Sequence, residues 1–293
     1  MSSYFSQFFT GISLGAVLLL IAMGLTFTFG QMNVINMAHG ELIMAGAYTV
    51  FMLQGPLGET GSLLIALPVA FVTAGAIGLV LEVVLIRRLY GRPLDTLLVT
   101  WGISLMLQQL ARDLFGAPNV QVNAPDWLRG GVEVFGTVVA KSRLFTIALA
   151  IACLAMIWFF LNRLAQGRRM RAVMQNRPLA ACAGIPTDQV DRLTFFIGSG
   201  LAGVAGVALT LLGSIGPTLG TNYIVDAFLV VVVGGLGHLR GAVIAALALG
   251  LMNSFVEYWT SGSIAKVVVF VGIVAFLQVR PQGIVVLRTR GLT

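Results

Sequence analysis

The chain has 293 residues, of which 58% are hydrophobic and only 10% charged. A soluble domain carries about 25% charged residues, so this composition excludes an ordinary soluble fold and points to the membrane. The net charge of +7 is no sign of a nucleic-acid partner, because Lys and Arg accumulate in the cytoplasmic loops of membrane proteins.

The first residues, MSSYFSQFFT, place no Lys or Arg ahead of the apolar run. They lack the basic region of a cleavable signal peptide. A hydrocarbon core of about 30 Å takes about 20 helical residues. On that length, spans are predicted at 8–29, 38–55, 63–86, 95–115, 144–163, 193–213, 222–239, 241–258 and 263–279. The fold class is an all-α polytopic membrane protein with about 8–9 transmembrane helices. It forms a single transmembrane domain over 1–293. The second and seventh spans are short or interrupted, and each follows a polar stretch containing Gly. A broken or re-entrant segment is expected at one of them.

Two polar interruptions resemble each other. One is Gly30 to Glu41, GQMNVINMAHGE, and the other is Gly213 to Asp226, GSIGPTLGTNYIVD. Each joins two apolar segments and ends at an acid. The pair suggests two pseudo-symmetric halves meeting at a central path, a recurrent transporter design. Within the first, Asn33, Asn36, His39 and Glu41 lie within nine residues. Polar groups at membrane depth are costly unless paired or hydrated, so they mark a pathway. They equally fit caps on helix ends, where free backbone groups need partners. Asn222 and Asp226 of the second interruption carry the same two readings. Glu82, Asp113 and Glu257 sit near span ends and are expected to be solvated or interfacial.

The fourth span holds Thr100, Ser104 and Gln108 at i, i+4 spacing, which places them on one helix face. Such a stripe suits a neutral hydrogen-bonding solute, and it also suits bonding between helices. The 116–143 loop, with Pro, Asn and Trp, is predicted to form an external cap. Thirteen of the 18 Lys and Arg fall on the other side, in the loops near Arg87, Arg168 and Arg240 and at the C-terminal end with Arg280, Arg288 and Arg290. That bias places the C-terminus in the cytoplasm and the N-terminus outside.

Arg168 to Val190, RRMRAVMQNRPLAACAGIPTDQV, is longer than a simple turn requires. It reads as a short basic helix followed by a Gly-Ile-Pro break, and a docking role is expected. A basic loop held by anionic lipid is the plainer reading. The Gly-rich VGGLGHLRG turn at 233–241 is not a phosphate loop, since no GxxxxGK[ST] occurs. Its glycines suit close backbone approach. The two Cys, Cys153 and Cys182, do not form a disulfide framework. No metal spacing, nucleophile elbow or paired catalytic acids are visible, so the chain is not expected to be an enzyme.

These residues carry a resemblance. GLTFTFGQMNVINMAHGELIMAGAY resembles the N-terminal signature of permease subunits of ABC importers in the branched-chain amino acid family. GRRMRAVMQNRPLAACAGI is similar to that family's ATPase-coupling segment, whose pattern falls on Arg171-Ala172, Asn176, Ala180 and Gly184-Ile185. VVVVGGLGHLRGA resembles its C-terminal Gly-rich turn, with His238 where Asn or Ser is expected. LDTLLVTWGISLMLQQLARDLFG and GTNYIVDAFLVVVVGG look most like the urea permeases.

The resemblance implies a pore subunit of the bacterial inner membrane, translocating urea or short amides. The alternative is a branched-chain amino acid permease; an ion-coupled secondary transporter is a third. It implies no cofactor on this chain and ATP used by partner subunits. The implied partners are a second homologous permease subunit, two cytoplasmic ATPase subunits that bind a coupling segment at 164–192, and a periplasmic solute-binding protein.

Overall fold

The computed structural model describes residues 2–134 and 137–285. Arg288 and Arg290 of the charge count lie outside the described residues. Among the described residues, the α-helices are α1 Ser2–Met32, α2 His39–Val84, α3 Pro93–Phe115, α4 Lys141–Arg163, α5 Ala165–Gln175, α6 Arg177–Cys182, α7 Thr187–Thr210, α8 Leu219–Gly234, α9 Leu239–Trp259 and α10 Gly262–Val279. Helix α2 fuses the second and third predicted spans. It breaks at Gly58, whose φ of 69 and ψ of 178 are not helical, in a stretch that also carries Pro56.

Helix α7 is the centre of the molecule. Nearly all of its residues from Thr194 to Thr210 are buried, and α2 packs most extensively against it. Gly24 of α1 packs on Gly198 of α7, and Gly46 of α2 packs on Gly203. Small residues let helix backbones approach in lipid, where burial of apolar surface no longer drives helices together. The outer helices α3, α4 and α10 expose Leu98, Met106, Ile151, Met156, Val267 and Val271. Such a surface suits hydrocarbon, because helices satisfy their own backbone hydrogen bonds.

Among the described residues, six helical stretches are long and apolar enough to cross a membrane: 4–32, 61–84, 141–163, 187–210, 239–259 and 262–279. The expected count of about 8–9 is not reached on this measure. The remaining three predicted spans exist as helices but fall short of it. The first half of α2 and all of α8 are short, and α3 carries the polar stripe. The all-α polytopic class fits, and the structure adds one small hairpin to it. Two strands, β1 Gly131–Val134 and β2 Thr137–Ala140, pair antiparallel within the loop that follows α3. Val120 of that loop pairs with Ile215, and Gln54 Nε2 donates to the Asn123 carbonyl at 2.9 Å. The loop is therefore a folded cap, tied to α2 and to the stretch before α8.

Glu82 departs from the expectation of a solvated acid. It is 1% exposed and accepts a hydrogen bond from Tyr90 Oη at 2.9 Å. Asp113 and Glu257 are exposed as expected. Cys153 is buried, and Cys182 is exposed.

Candidate functional site: a polar junction and a second polar cluster

Helix α1 ends where Asn33 takes a left-handed conformation, φ 53. Asn tolerates that region better than most residues, because its short side chain bonds locally. Residues 33–38 then run back along α1 before α2 starts. His39, at the start of α2, hydrogen-bonds through Nε2 to the Ile21 carbonyl at 3.3 Å. Ile21 lies 11 residues before Met32, so α2 begins roughly 16 Å back from the end of α1 at 1.5 Å per residue.

Helix α8 starts beside it. A Cβ on Gly40 would lie 2.7 Å from the Gly220 carbonyl oxygen, and one on Gly220 would lie 2.2 Å from the Gly40 carbonyl carbon. Only glycine at both positions lets the two helix starts touch. The two polar interruptions of the sequence are thereby brought together, with the partly positive N-terminal ends of α2 and α8 adjacent.

The stripe on α3 closes this junction. Thr100 Oγ1 receives the Met37 N–H at 3.1 Å. Ser104 Oγ donates to Glu41 Oε1 at 2.8 Å. Gln108 Nε2 donates to Glu41 Oε1 at 2.9 Å and to Thr221 Oγ1 at 3.0 Å. Glu41 is 1% exposed, and its Oε2 has no hydrogen-bond partner among the described residues. The same holds for His39 Nδ1 and for both amide atoms of the buried Asn36. Buried polar groups are nearly always paired, so the free oxygen of Glu41 marks a spot suited to a further donor. Glu41 also lines a cavity of about 250 Å³ with Tyr48, Thr49 and Thr73.

The structure thus brings together Glu41, Ser104 and Gln108 and adds Thr221, with Thr100 bonded to the backbone of 35–37. His39 turns instead to α1, and Asn36 is buried with no side-chain bond to them. Asn33 is exposed at the helix end, away from them. Asn222 and Asp226 line a separate groove of about 450 Å³ with Asn253 and Lys266.

On the other side of the sequence argument, the 164–192 segment is two short helices rather than one. Asn176 caps α6, its Oδ1 accepting the Leu179 N–H at 3.0 Å. Gly184, φ 78, ends α6. The Ile185 N–H reaches the Ala180 carbonyl at 3.1 Å and the Gly184 N–H reaches that of Ala181 at 3.0 Å, the paired bonds of a Schellman C-cap. Arg171 donates to Asn162 at the end of α4. Ala180 is buried, Ala172 and Ile185 are half-buried, and Leu179 is 66% exposed.

Sequence reading missed the residues that hold this segment down. Arg177 makes two parallel bonds to Asp191, 2.9 Å and 2.5 Å. Asp191 is fully buried and also accepts from Gln31 Nε2 at 2.7 Å. Thr194 Oγ1 donates to Gln31 Oε1 at 2.7 Å. The Arg177 guanidinium sits 5.5 Å from the centre of the Tyr90 ring. The side-chain bonds to Asp191 push Arg177 above its ordinary value. Burial, with the Asp191 and Glu82 charges nearby, pushes the Tyr90 phenol up, so it stays neutral and donates to Glu82. The available signals were weak: Asp191 reads as an ordinary acid in the first turns of a helix, and Gln31 as the end of one.

A glycine-packed bundle of apolar helices around a buried polar junction defines a polytopic membrane protein. The chain belongs to the family described as "Branched-chain amino acid transport system / permease component", whose model matches residues 7–277. It is similar to the high-affinity branched-chain amino acid transport system permease protein LivH of Escherichia coli, 32% identical, covering 96% of this chain and 95% of that one. LivH of Salmonella typhimurium is also 32% identical over the same shares. The permease protein BraD of Pseudomonas aeruginosa is 29% identical over 96% of this chain and 95% of its own.

Proposed function

We propose that this chain is the membrane-spanning permease of an ATP-driven importer for branched-chain amino acids. The names and full-length coverage of its relatives support this solute over the urea expected from sequence. The reading rests above all on the meeting of α2 and α8 at Glu41. Two helix starts offer backbone N–H groups that suit a carboxylate. The free Glu41 oxygen accepts from an N–H donor, and the apolar walls beyond it suit an aliphatic side chain. The groove with Asn222, Asp226, Asn253 and Lys266 faces outward from helices that otherwise suit lipid. Charged groups at that depth face water or protein rather than hydrocarbon, so the groove faces a second permease subunit.

Energy enters through 164–192, which we place in the cytoplasm against ATPase subunits; a periplasmic binding protein delivers solute from the opposite side. Because Ala180 is buried, the contact falls to Leu179 and its exposed neighbours, with Arg171, Asn176 and Gly184 shaping the surface. A urea or short-amide solute is the second reading. Glu41 makes no ion pair among the described residues, which suits a neutral N–H donor.

Vesicles holding the assembled importer decide between these solutes. Labelled leucine is expected to accumulate and labelled urea to stay at the background level. Glu41→Gln is expected to lower leucine uptake by about 100-fold, the effect of losing a hydrogen bond to a charged group. Urea accumulation without leucine accumulation overturns the main reading. Full activity of Glu41→Gln removes Glu41 from the path.

A further inference from the structure

The bonds at Asp191 join three elements, and the Arg177 guanidinium over the Tyr90 ring adds a fourth. Arg177 comes from α6, Asp191 and Thr194 from α7, Gln31 from the last turn of α1, and Tyr90 from the loop that follows α2. A second tie, the ion pair of Arg87 with Asp188, holds the start of α7 to that same loop. Such a density of charged and amide bonds is not needed to end a helix at a membrane surface.

The position of Gln31 is the informative one. It stands two residues before Asn33, where the chain leaves α1 for the non-helical stretch 33–38 that leads into α2 and Glu41. Its amide is engaged on both sides, the nitrogen with Asp191 and the oxygen with Thr194. A side chain held at both ends cannot stay in place when Asp191 moves. Asp191 in turn cannot separate from Arg177 cheaply, because its carboxylate is buried and breaking the pair strands a charge. Arg177 opens α6, which is fixed as a unit by its Asn176 cap and its Gly184 end.

We propose that Arg177, Asp191 and Gln31 form a clasp through which movement of α6 is passed to the broken stretch 33–38 and so to the junction at Glu41. They are positioning residues and need touch neither solute nor nucleotide. This rests on the reading of 164–192 as the segment that ATPase subunits move. An interaction network with two arrangements is a physical means of linking distant sites, and here every member is in contact with the next.

The test uses the complete importer with its ATPase subunits and binding protein in vesicles, supplied with labelled leucine and labelled urea in separate arms. Uptake and ATP hydrolysis are read from the same vesicles. Gln31→Met keeps length and apolar volume while removing both bonds. It is expected to leave stimulated ATP hydrolysis within about twofold while solute moved per ATP falls about tenfold, a coupling loss of ordinary size. Thr194→Val removes the hydroxyl's bonds to Gln31 and to the Val190 carbonyl of its own helix but keeps the bond between Gln31 and Asp191; it is expected to lower the same ratio by a smaller factor and serves if Gln31→Met fails to assemble. An unchanged ratio in either variant overturns the clasp, as does a parallel fall in uptake and hydrolysis, which marks a purely structural role. An unmodified importer that moves neither solute with ATP overturns the permease reading instead, so the two failures are distinguishable.

Discussion

At the level of single residues, the same amino acid changes meaning with its neighbours. Glu41 and Glu82 both look like acids near helix ends, yet both are buried and hydrogen-bonded. Glu41 was legible as a site residue because it closes a run of Asn, His and Glu in an apolar setting. Glu82 was not, because its partner Tyr90 lies beyond a helix end, and nothing in sequence spacing pairs them. Gln31 and Asp191 lie 160 residues apart and meet only in the folded chain. The cysteines give a residue-scale prediction. Cys182 is exposed on α6 and Cys153 is buried. A water-soluble, membrane-impermeant maleimide is therefore expected to label Cys182 alone. With 164–192 in the cytoplasm, labelling occurs in inside-out vesicles and is absent in right-side-out ones. Labelling of right-side-out vesicles at Cys182 would reverse the proposed orientation.

At the level of elements, apolar length located the helices well but did not tell a full span from a partial one. The second predicted span became the first half of α2, and the seventh became α8; both begin at the polar junction. Their weakness in the sequence was the sign of that role, because a helix that starts inside the bundle needs polar partners for its free N–H groups. The α3 stripe supplies such partners, and its i, i+4 spacing was readable in advance. The division of 164–192 into α5 and α6 was not, since it depends on Asn176 capping and on Arg177 finding Asp191. Leu179 carries the element-scale prediction. It is a large apolar residue, 66% exposed on a short polar-flanked helix, and apolar residues exposed outside the hydrocarbon mark contacts. Leu179→Asp is expected to leave the permease folded and inserted while ATPase subunits co-purify at about a tenth or less, a loss typical of a hot-spot residue. Retention of the ATPase subunits at the normal level would move the docking surface elsewhere.

For the whole molecule, two polar features stand at different depths in an apolar bundle. One is the Glu41 junction, about two-thirds of the way along α1. The other is the cluster at the end of α1 where Gln31 meets Asp191 and Arg177. The residues between them, 33–38, have no helix of their own, so they can change shape without unwinding a span. Discrete packing arrangements at such joints are how small movements become large ones. Under the proposed coupling role, this gives the 164–192 segment a mechanical reason for its length. It also accounts for a chain that handles a solute while holding no nucleotide motif.

The central claim is that solute movement through this chain is driven by ATP rather than by an ion gradient. The most direct measurement is accumulation of labelled leucine in vesicles holding the complete importer, with ATP and a protonophore varied independently. Accumulation that requires ATP and ignores the protonophore is the predicted result. Accumulation that persists without ATP and collapses with the protonophore would contradict the account.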